Sequence, residues 1–125
     1  MLKRRILSVL LVLAMLVPFA GAAQTAQDNM RGVWVASVAN IDYPSSSGMT
    51  AQALAAEADT MLDNIAAMGL NTVFLQVRPS ADALYQSGLF PQSRYVSGNC
   101  GASPDGDFDV LAYWVEGAHE RGLQL

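Results

Sequence analysis

The sequence predicts an α/β fold, specifically the N-terminal portion of a (β/α)8 barrel, and three observations predict it. Two runs rich in β-branched and aromatic residues, Arg31 to Val38 and a second starting near Thr72, flank a segment with helical apolar spacing. A second helical segment, after a long loop, leads into Leu123-Gln124-Leu125, which reads as the first residues of a third strand. Buried parallel strands need helices on their faces and further strands beside them, and two and a half strands leave open edges. A complete small α/β domain is the alternative reading.

The first residues belong to a different category. Lys3, Arg4 and Arg5 precede an apolar run from Ile6 to Ala20, followed by the small residues Ala20-Gly21-Ala22-Ala23. A basic head, an apolar middle and a small-residue end are the pattern of a secretory signal peptide, placed here at 1–23. The run is short of the roughly 20 residues that span a bilayer, so no stable membrane span is expected after cleavage. An uncleaved anchor is the alternative. No cysteine follows the small residues, so a released protein, periplasmic or extracellular, is expected rather than a lipid-anchored one. Residues 24–30 are read as a short linker and 31–125 as the truncated barrel domain.

Without the signal segment the chain keeps four arginines against eleven acidic residues, a net charge of −7. Such a chain repels phosphate backbones, and nucleic acid is not an expected partner. A single cysteine, Cys100, allows no internal disulfide, and one histidine allows no zinc-protease motif. No metal or cofactor is expected.

In the first strand Val33, Val35 and Ser37 face one way and Trp34, Ala36 and Val38 the other. A loop rich in Asn, Asp, Pro, Ser and Gly follows. Thr50 is placed to cap a helix whose apolar stripe is Leu54, Ala58, Met61, Leu62, Ile65 and Met68. Gly69 stands at its C-terminal end, and the second strand begins two residues later. The strands of this βαβ unit should be parallel. The stretch from Pro79 to Asp107 is irregular, with a helical turn expected at Ala81 to Tyr85. The last helix has Leu111, Trp114, Val115 and Ala118 as its apolar stripe and Gly122 as its stop.

Ligands in α/β proteins sit at the carboxyl ends of strands. Gln76 and Arg78 lie at the end of the second strand, and Asn40 and Asp42 occupy the corresponding place after the first. Amides, a guanidinium and carboxylates suit a hydroxyl-rich or anionic ligand, with Tyr43, Tyr85, Phe90 and Tyr95 offering ring faces. The competing reading is an internal network in which Arg78 pairs with Asp42 or Asp82 and Gln76 bonds to backbone. Trp34 and Trp114 are assigned to the core. Asp105, Asp107 and Asp109 are expected to cap the last helix, and Glu57, Asp59, Asp63, Glu116 and Glu120 to lie on wet helix faces.

Three blocks, "RGVWVASVANIDYP", "NTVFLQVRPSADALYQS" and "FDVLAYWVEGAHERGLQL", resemble the glycosyl hydrolase-like 10 family, formerly DUF187, over about Arg31 to Leu125. The resemblance implies a TIM barrel, of which this chain supplies two β/α repeats and the start of the third strand. It implies a secreted or envelope glycosidase acting on O-glycosidic bonds of a polysaccharide, with peptidoglycan glycan strands among the family's substrates. Asn40, Asp42, Gln76, Arg78, Asp82 and His119 match the family's polar positions. Of these, Asn40, Asp42, Gln76, Arg78 and Asp82, together with Tyr43, form the candidate substrate-binding set. His119, near the C-terminal end of its helix, is read as structural.

Glycoside hydrolysis ordinarily uses two carboxyl groups flanking the bond. Only Asp42 and Asp82 lie near strand ends here, so the catalytic acids are not assigned and are expected beyond Leu125. The alternatives are a glycan-binding protein without catalysis and an inactive truncated remnant. Paired acids at downstream strand ends would separate the first alternative from an enzyme.

Overall fold

A computed structural model describes residues 29–102 and 108–125. The signal-peptide assignment, most of the linker, and the capping roles expected of Asp105 and Asp107 fall outside them.

Strands β1 (Gly32–Val35) and β2 (Thr72–Leu75) pair in parallel, with Gly32 opposite Thr72 and Val35 opposite Leu75. The expected parallel βαβ unit is present. Gln124 then bridges to Thr72 in parallel, donating its amide to Asn71 O at 2.9 Å while Val73 N donates to Gln124 O at 2.7 Å. The final residues therefore add a single parallel bridge on the edge of β2 away from β1.

β1 ends three residues earlier than expected. Asp42 N and Tyr43 N both donate to Ala36 O, and the Asp42 carboxylate accepts from Ala36 N at 2.7 Å. These bonds take up the backbone groups that a longer strand would use, and Val38–Asn40 folds into a 3-10 turn instead. The turn places Ala39 and Asn40 at positive φ.

Helix α1 (Ala51–Ala67) starts where Thr50 Oγ1 accepts from Ala53 N, and it buries Leu54, Ala58, Leu62 and Ile65. Gly69 adopts φ +74 just past its end, a conformation that costs a residue with a Cβ about 1 kcal/mol or more. A short helix, α2 (Arg94–Ser97), lies inside the long loop, capped by Ser93. The helical turn expected at Ala81 to Tyr85 is absent. Ala83 instead makes a parallel bridge with Gln92, because the segment has a partner nine residues away that periodicity does not reveal.

Helix α3 (Val110–Glu120) is capped by Asp109, whose Oδ1 accepts from Ala112 N and whose Oδ2 accepts from Gln86 N. Its buried face is Val110, Trp114, Gly117 and Ala118, rotated from the expected stripe; Leu111 and Val115 are only half-buried. Gly117 explains the rotation. A Cβ there would stand 3.0 Å from Leu62 Cδ1, so the glycine lets α3 come close to α1. A mid-helix glycine costs about 1 kcal/mol of helix propensity, and here it is the point of contact between helices.

Arg121 locks the same contact. Its Nε donates to Asp63 at 2.6 Å, its Nη2 to Asp59 at 3.1 Å and its Nη1 to Gly117 O at 3.0 Å, while Tyr113 OH donates to Asp59 at 2.7 Å. Asp63 lies on the wet face as expected and Asp59 is half-buried at its edge, and both also tie α1 to Arg121 at the end of α3. Glu57 is likewise engaged, accepting from Ser45 N and Ser45 Oγ.

One core joins Val35 and Val73 of the sheet to the helices, with Trp114 fully buried as expected. The opposite sheet face carries Trp34, 61% exposed, and Phe74, 43% exposed. Trp34 is thus not in the core of this unit; the helices pack only on the other face of β1. Gly32 lies against Phe74, where a Cβ would meet Cε2 at 2.7 Å. Among the described residues no helix is long and apolar enough to cross a membrane.

Candidate functional site at the strand ends

The loops after β1 and β2 meet at the carboxyl ends of the strands, and Gln76 joins them. Its side-chain Oε1 accepts from Ser37 N and Val38 N, both at 3.0 Å. Ser37 Oγ donates to Gln76 O at 2.6 Å, and Gln76 N continues the sheet to Val35 O. Gln76 follows the network reading: its amide satisfies two backbone donors of the neighbouring turn. Ser37, fully buried, was missed as its partner, and the only sequence signal is a serine on the inward side of a strand end.

Asn40 is also a connector. Its Nδ2 donates to Pro44 O at 2.7 Å and to Tyr95 O at 2.8 Å, pinning α2 to the turn after β1. Asp42 is exposed and committed to Ala36 N, along the free edge of β1. It borders a cavity of about 240 Å³ formed with Val33, Trp34, Met61 and Met68.

Tyr43 is a correction. It is fully buried, with its ring edge-on to Trp114 at 4.9 Å between centroids and its hydroxyl donating to Leu54 O at 3.1 Å. Burial pushes its phenol well above its ordinary value, the neighbouring Trp114 indole opposing. It offers no ring face to a ligand. The indole Nε1 of Trp114 is itself buried without a hydrogen-bond partner among the described residues.

Asp82 is only 3% exposed, and its Oδ1 accepts from Ser80 N at 3.2 Å. Between them Ala81 has φ +59. Ser80 Oγ shares a hydrogen bond with Tyr95 OH at 3.4 Å. That bond, with the positive charge of Arg94 nearby, holds the phenol of the half-buried Tyr95 below its ordinary value, partial desolvation opposing. Asp82, Ser80, Tyr95 and Asn40 thus form a continuous polar chain across the mouth. Ser80 was not singled out from sequence, although a serine two residues before an aspartate is a turn signal.

Arg78 pairs with neither Asp42 nor Asp82. It is exposed, with its guanidinium carbon 3.5 Å from the centre of the Phe90 ring. His119 is exposed near the C-terminal end of α3, apart from this set, and makes no side-chain hydrogen bond among the described residues.

The non-glycine residues at positive φ among the described residues are Ala39, Asn40 and Ala81, all in these two loops. Left-handed alanines cost about 1 kcal/mol or more each, and such strain gathers where a fold holds a functional surface. The mouth therefore combines strained backbone, an aromatic-backed cation, a phenol and hydroxyls. It can donate to and accept from sugar hydroxyls or hold an anionic group. Among the described residues no group of acids, histidines or cysteines is arranged to hold a metal.

A parallel pair with helices on one face and a polar mouth at its strand ends defines a mixed α/β unit consistent with part of a glycosidase fold. The chain belongs to the glycosyl hydrolase-like 10 family, whose sequence model matches residues 29–125. It is 40% identical over 109 residues to the glycosyl hydrolase YngK of Bacillus subtilis strain 168, covering 87% of this chain and 21% of that protein. It is 32% identical over 124 residues to the glycosyl hydrolase DigH of Escherichia coli K12, covering 90% of this chain and 28% of that protein. The DigH protein of Shigella flexneri matches to the same extent. The chain thus spans between about a fifth and three tenths of the length of these relatives.

Proposed function

We propose that the polypeptide carrying this chain is a secreted or envelope glycoside hydrolase that cleaves O-glycosidic bonds of a polysaccharide, with peptidoglycan glycan strands as its substrate. The observation that carries this reading is the family match over residues 29–125, together with relatives named as glycosyl hydrolases. The strand order supports a (β/α)8 barrel as the complete fold. β1, β2 and the parallel bridge at Gln124 lie side by side in sequence order, and Val35 and Val73 on one sheet face share a core with α1 and α3. In a barrel the face carrying Trp34 and Phe74 would be its interior. The basic, apolar and small-residue pattern of 1–23 supports export.

In this reading the present chain contributes a wall of the substrate cleft. Asp42 and Asp82 each accept from a backbone amide, of Ala36 and Ser80, and act as loop anchors. The acid and its partner carboxylate are then supplied by later strands. The test is reducing-end release from purified peptidoglycan glycan strands by the native polypeptide. Release with a new reducing end per cut supports hydrolysis. Retention of the strands on the protein with no new ends would mean glycan binding without catalysis, and no interaction would overturn the glycan reading.

A further inference from the structure

The arginines among the described residues divide into two kinds. Arg31 and Arg121 hold the fold together: Arg31 donates to Gly69 O at 2.7 Å and Asn29 O at 3.3 Å, and Arg121 to Asp59, Asp63 and Gly117 O. Arg78 and Arg94 make no side-chain hydrogen bond or ion pair among the described residues. Each is held over an aromatic ring instead, Arg78 at 3.5 Å from the Phe90 centroid and Arg94 at 5.3 Å from that of Tyr95. Stacking occupies the flat face of a guanidinium and leaves its edge, where the N–H groups point, open. The shorter contact also restrains the side chain, so less freedom is lost when a ligand binds.

Arg78 stands three residues past the end of β2, at the strand-end mouth, and Ser80 connects its loop to Tyr95. The carboxylates closest to it in sequence at the mouth, Asp42 and Asp82, are committed to the Ala36 and Ser80 amides. A fork of parallel N–H donors on a fixed plane matches a carboxylate better than it matches a lone hydroxyl.

We propose that Arg78, braced on Phe90, is a specificity-determining residue that binds a carboxylate of the glycan, so that the site selects acidic sugar residues over neutral ones. This rests on the glycoside hydrolase reading above. The carboxylate has two chemical sources, an ether-linked lactyl group on an amino sugar or the ring carboxylate of a hexuronate.

The test titrates the native polypeptide with lactyl-bearing glycan-strand oligosaccharides and with hexuronate oligosaccharides, each beside its carboxyl-reduced counterpart. The expected result is binding of one acidic series about tenfold tighter than its reduced form, as a charge-assisted contact allows. The series that shows the ratio identifies the source. Arg78→Ala should bring the ratio to about one, with the larger loss falling on the acidic form. Arg78→Lys, which keeps the charge and loses the fork, should retain part of it and serves if the alanine variant does not fold. A ratio near one for both series in the parent protein, or a ratio that survives both substitutions, overturns the inference and leaves the glycan reading standing. No binding or cleavage of any of the four oligosaccharide series overturns both.

Discussion

The helix side of the sheet and the mouth at its strand ends are built on opposite terms. On the helix side, Leu54, Leu62, Val73 and Trp114 exclude water, and polar contacts such as Arg121 with Asp59 and Asp63 lie at the edge. At the mouth, side chains satisfy backbone: Gln76 serves Ser37 and Val38, Asn40 serves Pro44 and Tyr95, Asp82 serves Ser80. The first region derives its stability from area removed from water, the second from donors and acceptors that would otherwise be orphaned. Polar positions at a strand end are therefore not all ligand groups. Several hold backbone in place, whereas Arg78 is stacked on Phe90 and leaves its guanidinium edge open.

The largest expected effect lies on the helix side. Trp114→Ala should cost about 3–5 kcal/mol in denaturant unfolding, the range for truncating a buried aromatic. Trp114→Phe should cost much less, since it keeps most of the apolar volume and removes an indole N–H that has no partner among the described residues. Equal losses for the two variants would show that the indole nitrogen has a stabilising contact.

At the mouth, Gln76→Ala should cost about 2 kcal/mol, because two backbone amides lose their acceptor. If its unfolding free energy matches that of the parent, water replaces the side chain and the connector role fails.

Alkaline pH should separate the regions by sign. On the helix side, burial raises the Tyr43 phenol, and a hydrogen bond to Asp59 raises that of Tyr113. Both contribute stability that is complete below the unfolded value of about 10 and is lost as pH rises toward their folded values. At the mouth, Tyr95 is lowered, chiefly by Ser80, so its contribution is present above the unfolded value and lost as pH falls through the folded one. A tyrosinate absorbance titration of the folded protein should show Tyr95 ionising before Tyr43 and Tyr113. Reversal of that order would contradict the placement of both regions.

The smallest effect is expected from Ser80→Ala. Stability should change by no more than about 0.5 kcal/mol, as for an exposed contact. The Tyr95 titration should move upward toward its ordinary value, and an unmoved titration would mean that the Ser80 contact is not made in solution.

Much of the helix side was legible because it repeats. The spacing of Leu54, Ala58, Leu62 and Ile65 marks α1, and Thr50, Asp109 and Gly69 mark helix ends by chemistry that acts within a few residues. The exceptions have long-range causes. The face of α3 is rotated by the approach of Gly117 to Leu62, and Asp59 and Asp63 meet Arg121 about sixty residues away. Tyr43 lies in a loop beside a proline, with no period to reveal that its ring reaches Trp114. At the mouth, sequence located Asn40, Gln76, Arg78 and Asp82 at the correct end of the strands. It did not separate the connectors from the open guanidinium, because that depends on which backbone groups the turns leave unpaired.

The most direct test of the central claim, that this mouth is a wall of a glycan-cleaving site, is a crystal structure of the native polypeptide with a peptidoglycan glycan fragment bound. The account predicts sugar atoms within hydrogen-bond distance of the Arg78 guanidinium or the Tyr95 hydroxyl, at the carboxyl ends of β1 and β2. A fragment bound at the opposite ends of the strands, or on the helical side over Asp59 and Arg121, would contradict it.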